Sequence, residues 1–233
     1  MKAAVLEQAR KAISIVDDVE VIEPRSHEVR VRVKYCGLCH SDLGFVTGKM
    51  PLMGPMIPGH EASGVVESVG PGVSHLAEGD HVVLTPAAPC GQCYYCQRDE
   101  HSLCVNAMSI MSGLLPDGTS GISRGGEALL RGCGMGALAE YVTLPATGAI
   151  KIDKDIPLEV ACVIGCALQT GVGAVLNTAA LEQGATCVVM GLGGVGMATL
   201  QGARIAGASV IIASDPVPER RKQARSFGAT HVI

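Results

Sequence analysis

A length of 233 residues suffices for one large domain or two small ones, and a hydrophobic fraction of 48% allows a sizeable core. A net charge of −4 without a basic run argues against nucleic acid as a main partner. The N-terminus lacks the apolar core and cleavage site of a signal peptide, and no apolar stretch is long and unbroken enough to span a bilayer. We therefore expect a cytoplasmic protein without a membrane partner, and a metal-binding rather than a disulfide framework for its clustered cysteines.

The first part of the chain predicts a β-rich domain. Residues 28–34 alternate apolar and charged side chains, which is the pattern of a half-buried antiparallel strand. Residues 105–136 hold many glycine, serine, methionine and proline residues without periodicity, and they predict a long surface loop. Further strands are predicted at residues 1–7, 17–23, 62–69, 80–84, 137–144 and 148–152.

The pattern becomes helical at residue 158 and stays so to residue 181, which predicts a hinge between two regions. Strands and helices alternate beyond it, as expected for a parallel sheet flanked by helices. The predicted order is strand 186–190, glycine turn 191–196, helix 197–206, strand 209–214, helix 218–227 and a strand from residue 231. The predicted fold class is therefore mixed α/β, with domains over residues 1–157 and 158–233.

Four cysteines, Cys90, Cys93, Cys96 and Cys104, form the strongest local motif. Three stand at CxxC spacing, which curls the thiolates toward one point, and a short loop brings in the fourth. Four thiolates suit a structural Zn²⁺ that has no open coordination position. Cys₄ sets also hold iron–sulfur clusters, and disulfides or unrelated thiols are further alternatives. We favour zinc.

A glycine turn of the form GxGxxG lies between a predicted strand and a predicted helix. It contains Gly191, Gly193, Gly194 and Gly196. Such glycines allow the tight turn, the approach of a pyrophosphate and close helix packing, while the helix N-terminus donates N–H groups to phosphate. Asp215 ends the next strand, where a carboxylate binds an adenosine ribose and repels a 2′-phosphate, which favours NAD over NADP. The alternative is a glycine-rich turn without a ligand.

Cys39, His60 and Cys166 supply a third set of candidate ligands. Cys39 follows a glycine turn, His60 stands where a strand begins, and Cys166 lies at the start of the predicted hinge helices. Each alone is better explained as a buried thiol or a hydrogen-bonded histidine. Together they form the Cys₂His set that a catalytic zinc with one open position uses.

The chain resembles the zinc-dependent alcohol dehydrogenases of the medium-chain dehydrogenase/reductase family along its whole length. Six motifs in family order carry the resemblance: Gly37-Leu-Cys-His-Ser-Asp42, Gly59-His-Glu61, the four-cysteine loop, Ile164-Gly-Cys166, Thr170-Gly171 and Gly191-Leu-Gly-Gly-Val-Gly196. The resemblance implies a GroES-like, β-rich, zinc-binding catalytic domain over residues 1–157. It implies hinge helices and the N-terminal half of a Rossmann NAD-binding domain over residues 158–233. Residues 117–120 are most similar to the glutathione-dependent formaldehyde dehydrogenase (class III) branch.

The resemblance also implies a reaction and its residues. Alcohols and aldehydes or ketones would be interconverted by hydride transfer to NAD, with two zinc ions per chain and a homo-oligomeric full-length protein. The Cys₂His set corresponds to the catalytic zinc ligands and the four-cysteine loop to the structural zinc site. Ser41 corresponds to the hydroxyl that takes the alcohol proton, Asp42 to the carboxylate that orients the zinc-bound histidine, and Glu61 to a glutamate near the metal.

Coenzyme contacts are implied in the same way. His40 corresponds to a position at the pyrophosphate, and Thr170 and Val195 correspond to positions at the nicotinamide. Arg220 corresponds to a position near the adenosine ribose.

Two features depart from the family pattern. Gly44 stands where many members have a histidine that relays the proton to solvent. The chain also ends at Ile233, so only the first of the two βαβαβ halves of a dinucleotide fold is present. We expect a C-terminally truncated chain, with a genuine half-domain protein as the alternative. A zinc-binding structural or binding protein without turnover is the alternative function.

Overall fold

The structure is a computed structural model that describes residues 1–86, 88–108 and 112–233. The chain divides into two compact units, Met1–Gly165 and Cys166–Ile233. Leu158–Gly165 belongs to the first unit, where it packs on the sheet. There the Ser63 hydroxyl donates a hydrogen bond to the carbonyl of Leu158 at 2.5 Å.

The first unit is built mainly of strands, in agreement with the predicted β-rich domain. The strands are β1 (Ala3–Val5), β2 (Ser14–Val16), β3 (Val19–Val21), β4 (Glu28–Gly37), β5 (Met56–Ile57), β6 (Glu61–Val69), β7 (His81–Leu84), β8 (Ile122–Arg124), β9 (Glu127–Ala128), β10 (Leu130–Arg131), β11 (Tyr141–Pro145) and β12 (Ala149–Ile152). The α-helices described in this unit are α1 (His40–Thr47) and α2 (Leu158–Ala161). Short 3₁₀ helices occupy Cys96–Arg98, His101–Leu103, Val105–Met108, Gly132–Gly134, Ala146–Gly148 and Cys162–Gly165.

A five-stranded antiparallel sheet in the order β11-β4-β6-β7-β12 forms the centre of this unit. The alternation predicted for residues 28–34 holds, because Val29 and Val31 are buried in the core whereas Arg32 and Lys34 are exposed. Period-two burial of this kind fixes the register of β4, since a one-residue slip would turn the charged side chains inward. The long antiparallel pairing of β4 with β6 places the end of β4 at Gly37 beside the start of β6 at Glu61.

The predicted surface loop over residues 105–136 is wrong for the described part of that segment. Residues 122–131 form the short strands β8, β9 and β10, of which β8 pairs with β3 and β10 with β5. Arg131 is fully buried, and its guanidinium donates to the carbonyls of Gly134 at 3.2 Å, Ser120 at 3.1 Å and Thr143 at 2.6 Å. Burial lowers the pKa of Arg131 to about 10, so the side chain is still a cation at neutral pH. The hydrogen bonds of the buried Arg131 guanidinium therefore stabilise this segment.

The second unit alternates strands and helices, as predicted. Its elements are α3 (Ala167–Gly173), a π-helix (Ala174–Thr178), β13 (Thr186–Met190), α4 (Gly194–Ile205), β14 (Val210–Ser214), α5 (Pro218–Ala224), a 3₁₀ helix (Arg225–Phe227) and β15 (His231–Val232). The three strands form a parallel sheet in the order β13-β14-β15. The helical run predicted over residues 158–181 consists of short α, 3₁₀ and π segments that end at Thr178.

No single helix in the described residues is long and apolar enough to cross a membrane. The consecutive segments Leu158–Gly165 and Ala167–Thr178 meet the length and composition requirements only when they are taken as a pair.

We predict that Arg131→Met destabilises the first unit by about 3 kcal/mol, because the substitution leaves buried carbonyls without their charged donor. Urea unfolding followed by circular dichroism measures the change. Arg124→Met is the matched control, since Arg124 makes only partly exposed ion pairs with Glu7 and Asp18. Equal effects of the two substitutions would show that the buried hydrogen bonds of Arg131 contribute little.

Candidate functional site

The four cysteines of the predicted zinc loop converge in the structure. Cys90, Cys93, Cys96 and Cys104 place their sulfur atoms within 4.8 Å of one another. The 3₁₀ helices Cys96–Arg98 and His101–Leu103 carry the chain from the third cysteine to the fourth. None of the four is in a disulfide. The arrangement is that of a four-thiolate site.

Backbone N–H groups point at these sulfur atoms. Cys93 N donates to Cys90 Sγ at 3.3 Å, while Cys90 N and Asn106 N donate to Cys104 Sγ at 3.2 and 3.4 Å. Backbone hydrogen bonds, first that of Cys96, lower the pKa of the Cys93 thiol to about 6, whereas burial raises the pKa of Cys96 to about 12. Donors aimed at sulfur favour the thiolate, which is the form that binds metal.

Cys39, His60 and Glu61 meet in the first unit. Cys39 is the N-cap of α1, and His60 and Glu61 lie where β6 begins. One ligand atom of each residue lies within 4.8 Å of those of the others. Gly37, at the end of β4, pairs with Glu61, and a Cβ atom on Gly37 would collide with the Glu61 carboxylate. Glycine at position 37 thus allows the carboxylate to reach the site.

A buried carboxylate, Asp42, joins these parts. Its Oδ2 accepts the N–H of Cys39 at 3.1 Å, and its Oδ1 accepts the N–H of Gly59 at 2.8 Å and lies 3.2 Å from His60 Nδ1. Burial raises the pKa of Asp42, but hydrogen bonds from His60, Gly59 and Cys39 outweigh burial and hold the pKa below its ordinary value. With Nδ1 facing the carboxylate, Nε2 is the ring nitrogen of His60 that could bind a metal.

Ser41 lies next to the Cys39 thiol, with 3.8 Å between Oγ and Sγ. Burial raises the pKa of Cys39, but hydrogen bonds from Ser41 and His60 outweigh burial and bring the pKa below its ordinary value. An apolar cavity of about 430 Å³ adjoins Cys39. Leu38 and His40, the first residue of α1, are among the residues that line it. Apolar groups therefore line one approach to this thiol.

Sequence reasoning missed Met50, which packs on the predicted relay position. A Cβ atom on Gly44 would lie 3.0 Å from both Cγ and Sδ of Met50. The Met50 N–H also donates to the carbonyl of Gly44 at 3.0 Å. A histidine at position 44 would therefore require Met50 to move. No periodicity or motif in the sequence links Gly44 with Met50. They meet because the chain turns back after the end of α1.

Cys166 is the first residue of the second unit and the N-cap of α3. It follows Gly165, where a Cβ atom would collide with the carbonyl oxygen of Leu84. In the second unit a Cβ atom on Gly171 would collide with the carbonyl of Val195, so α3 crosses α4 at close contact. This crossing brings Thr170 and Val195 to the same region of that unit.

The glycine turn has the predicted properties. Gly191 has φ +89°, a left-handed conformation that favours glycine. No atom lies within 4 Å of a Cβ atom built on Gly191 or Gly193, whereas a Cβ on Gly196 would collide with the carbonyl of Gly191. Gly193 is the N-cap of α4, which begins at Gly194. An open space thus lies above the first N–H groups of a helix, which is where a phosphate binds.

Asp215 lies at the predicted place but is already engaged. Its Oδ2 accepts the N–H of Leu192 at 2.7 Å and its Oδ1 accepts the N–H of Val217 at 2.8 Å. Arg220 Nη1 lies 3.6 Å from Oδ2, and the Asp215 side chain is 2% exposed. The Arg221 guanidinium donates to the carbonyl of Asp215. Sequence reasoning found the acid but not its backbone partners, since any residue type supplies an N–H group.

Two family models match the chain. The alcohol dehydrogenase GroES-like domain matches residues 25–154, which is more than half of the chain, and the zinc-binding dehydrogenase model matches residues 194–233. The chain belongs to the medium-chain, zinc-binding alcohol dehydrogenases. The predicted family and fold class, a GroES-like domain followed by the start of a Rossmann domain, are thereby confirmed.

Relatives of this alcohol dehydrogenase chain are longer. Alcohol dehydrogenase B of Mycobacterium tuberculosis (strain ATCC 25618 / H37Rv) is 41% identical over 219 residues, which are 93% of this chain and 58% of the relative. A zinc-binding domain protein of the alcohol dehydrogenase type from Burkholderia ambifaria matches with TM-score 0.92 and 41% identity, over 100% of this chain and 63% of that one. Benzyl alcohol dehydrogenase from Acinetobacter calcoaceticus matches with TM-score 0.91 and 33% identity over the same shares. The chain thus spans less than two thirds of these relatives.

We predict that Asp42→Ala weakens zinc binding at the Cys39–His60 site by about 10- to 100-fold, because the ligand histidine loses the group that orients it. Competition with a chelator of known affinity measures the change. Ser41→Ala is the control in the same helical turn and should leave zinc affinity within threefold of that of the unmodified chain. Unchanged affinity in Asp42→Ala would contradict the orienting role.

We predict opposite outcomes for two glycine substitutions in this family member. Gly193→Ala should leave the melting temperature unchanged but reduce NADH binding, because its Cβ atom would enter the open space of the turn. Gly196→Ala should lower the melting temperature, because its Cβ atom would collide with a carbonyl oxygen. Differential scanning fluorimetry and NADH fluorescence separate the two effects. A stable Gly196→Ala variant would contradict the packing role of Gly196.

Proposed function

We propose that this chain is part of a zinc-dependent alcohol dehydrogenase that interconverts alcohols with aldehydes or ketones by hydride transfer to NAD. The observation that carries the proposal is the buried Asp42–His60 pair beside Cys39, with 3.2 Å between Oδ1 and Nδ1. A carboxylate behind a histidine whose other nitrogen faces a thiol is the support that zinc-bound histidines use.

The donor atoms fit zinc at two places. Four thiols in the cysteine loop make a closed, structural set. Cys39 and His60 supply two ligands of a Cys₂His catalytic set, and we assign Cys166 as the third from the family pattern. Glu61, whose carboxylate shares the first-unit site, would act near the metal without being one of the three standing ligands.

The residues of the chain divide the work of the reaction. When bound, zinc supplies a Lewis acid that lowers the pKa of an alcohol, and NAD supplies the acceptor for hydride. Asp42 holds the His60 ring in one tautomer and orientation. The Ser41 hydroxyl, 3.8 Å from Cys39 Sγ, would accept the proton of the substrate alcohol while it passes its own proton to water.

The second unit provides half of a coenzyme site. The N–H groups at Gly193, Gly194 and the following residues would face the pyrophosphate, and the open space at the turn fits that group. His40 would contact the pyrophosphate, and Thr170 and Val195 would contact the nicotinamide. Arg220 would lie near the adenosine ribose. These coenzyme roles follow the family pattern.

We further assign residues 1–157 to the zinc-binding catalytic domain, and residues 158–233 to the hinge helices and the coenzyme half. The partners we propose are a small alcohol or aldehyde and, for the full-length protein, further copies of itself in the cytoplasm. The second candidate is a zinc-binding protein without turnover. It is supported by the four-thiol loop alone, because a closed set of ligands holds zinc without any turnover.

We predict that Cys39→Ala lowers the zinc content by one ion per chain and abolishes the oxidation of alcohols by NAD in the full-length enzyme. Elemental analysis and NADH absorbance measure the two effects. Cys36→Ala is the matched control, because Cys36 is a neighbouring thiol outside the ligand set, and its zinc content should not change.

Cys93→Ala identifies the second metal. It should also remove one zinc ion, and it should lower the melting temperature. Retention of full activity in Cys39→Ala would refute the assignment of the catalytic metal. Two zinc ions per chain without turnover in the full-length protein would support the second candidate.

A further inference from the structure

We propose that Asp215 is a positioning residue for the pyrophosphate-binding turn and does not act only as a selector of the ribose. The inference rests on the proposed coenzyme site. It concerns the two backbone N–H groups that donate hydrogen bonds to the Asp215 carboxylate.

The Asp215 carboxylate joins two turns. One oxygen accepts the N–H of Leu192, which lies inside the glycine turn, at 2.7 Å. The other oxygen accepts the N–H of Val217, the N-cap of α5, at 2.8 Å. A single side chain at the end of β14 therefore fixes the loop after β13 and the loop after its own strand.

The bond from Leu192 is buried, whereas the bond from Val217 is partly exposed. Leu192 is 2% exposed, and the Asp215 side chain is also 2% exposed. A buried N–H that loses its acceptor carries the full desolvation penalty, so the bond from Leu192 is not freely exchanged for a bond to water. The same two N–H groups, that of Leu192 first, lower the pKa of Asp215, which keeps the carboxylate charged at neutral pH.

Arg220 covers the remaining side of the carboxylate. Its Nη1 atom lies 3.6 Å from Oδ2, while its own side chain is 47% exposed. A guanidinium in this place partly offsets the negative charge that would repel a 2′-phosphate. The charge of Arg220 therefore contributes to the choice between NAD and NADP, whereas Asp215 keeps the turn in shape.

This division predicts a pattern that differs from simple ribose selection. A ribose selector that is removed weakens NADH binding and leaves or improves NADPH binding. A positioning residue that is removed loosens the turn, so every ligand with a pyrophosphate binds more weakly. For Asp215→Asn we expect the affinities for NADH, NADPH and inorganic pyrophosphate to fall together by about tenfold, the factor for one lost charge-assisted hydrogen bond.

The experiment compares the unmodified chain of residues 1–233 with Asp215→Asn, Arg220→Gln and Glu219→Gln. NADH and NADPH are titrated by nicotinamide fluorescence, and pyrophosphate is measured by competition with NADH. Arg220→Gln removes the guanidinium charge, so it should change the ratio of the NADH and NADPH affinities by more than threefold. It keeps both backbone hydrogen bonds to Asp215, so it should leave the turn unchanged. Glu219→Gln, an exposed change in the first turn of α5, should change neither.

Amide hydrogen exchange of the ligand-free protein tests the positioning role without any coenzyme. Peptides that contain Leu192 and Val217 should exchange at least tenfold faster in Asp215→Asn and at an unchanged rate in Arg220→Gln. Unchanged exchange in Asp215→Asn overturns the proposal, as does a gain in NADPH affinity with unchanged pyrophosphate binding. Failure of the unmodified chain to bind NADH would show that this half of the coenzyme site does not bind NADH by itself, while exchange still decides the role of Asp215.

Discussion

The hydrogen bonds of the buried Asp42 carboxylate are the constraint on which the first unit's candidate site depends. One charged group is bonded to the start of α1 through Cys39, to the backbone at Gly59 and to the ring of His60. A buried charge of this kind is tolerated only when donors surround it, so the three donors and the carboxylate fix one another. These hydrogen bonds hold the thiol of Cys39 and the imidazole of His60 beside each other. Pre-formed ligand geometry of this type lowers the reorganisation that binding would otherwise require.

The same device recurs at the glycine turn. Asp215, like Asp42, is an aspartate whose two oxygens accept backbone N–H groups from separate segments. In both places a glycine leaves room for a neighbouring oxygen, at Gly37 for the Glu61 carboxylate and at Gly196 for the Gly191 carbonyl. Each site therefore contains an aspartate that accepts hydrogen bonds from two backbone segments and a glycine whose missing side chain leaves space for a neighbouring oxygen atom. Loops fixed in this way can carry functional groups without the support of long helices or strands.

Much of this could be predicted from the sequence where the signal is local. The four-cysteine loop is recognised because its ligands lie within one short segment, and the glycine turn because strand, turn, helix and acid follow in order. The burial of Arg131 could not be predicted, because its acceptors are backbone carbonyls of Ser120, Gly134 and Thr143, which carry no side-chain signal. The strands near Arg131 are too short to show a period, so the segment was predicted to be a loop. The backbone partners of Asp215 were missed for the same reason as those of Arg131.

The contact between Gly44 and Met50 bears on the proposed proton route from Ser41, which lacks the histidine that many family members have at position 44. Ser41 and Gly44 are three residues apart on α1, so they share one face of the helix, whereas His40 and Ser41 are adjacent and point to different faces. A relay from Ser41 through a side chain at position 44 would follow the shared face, but the thioether of Met50 lies there. If Ser41 takes the alcohol proton as proposed, the route onward does not run through a side chain at position 44, because Gly44 has none and Met50 packs against it.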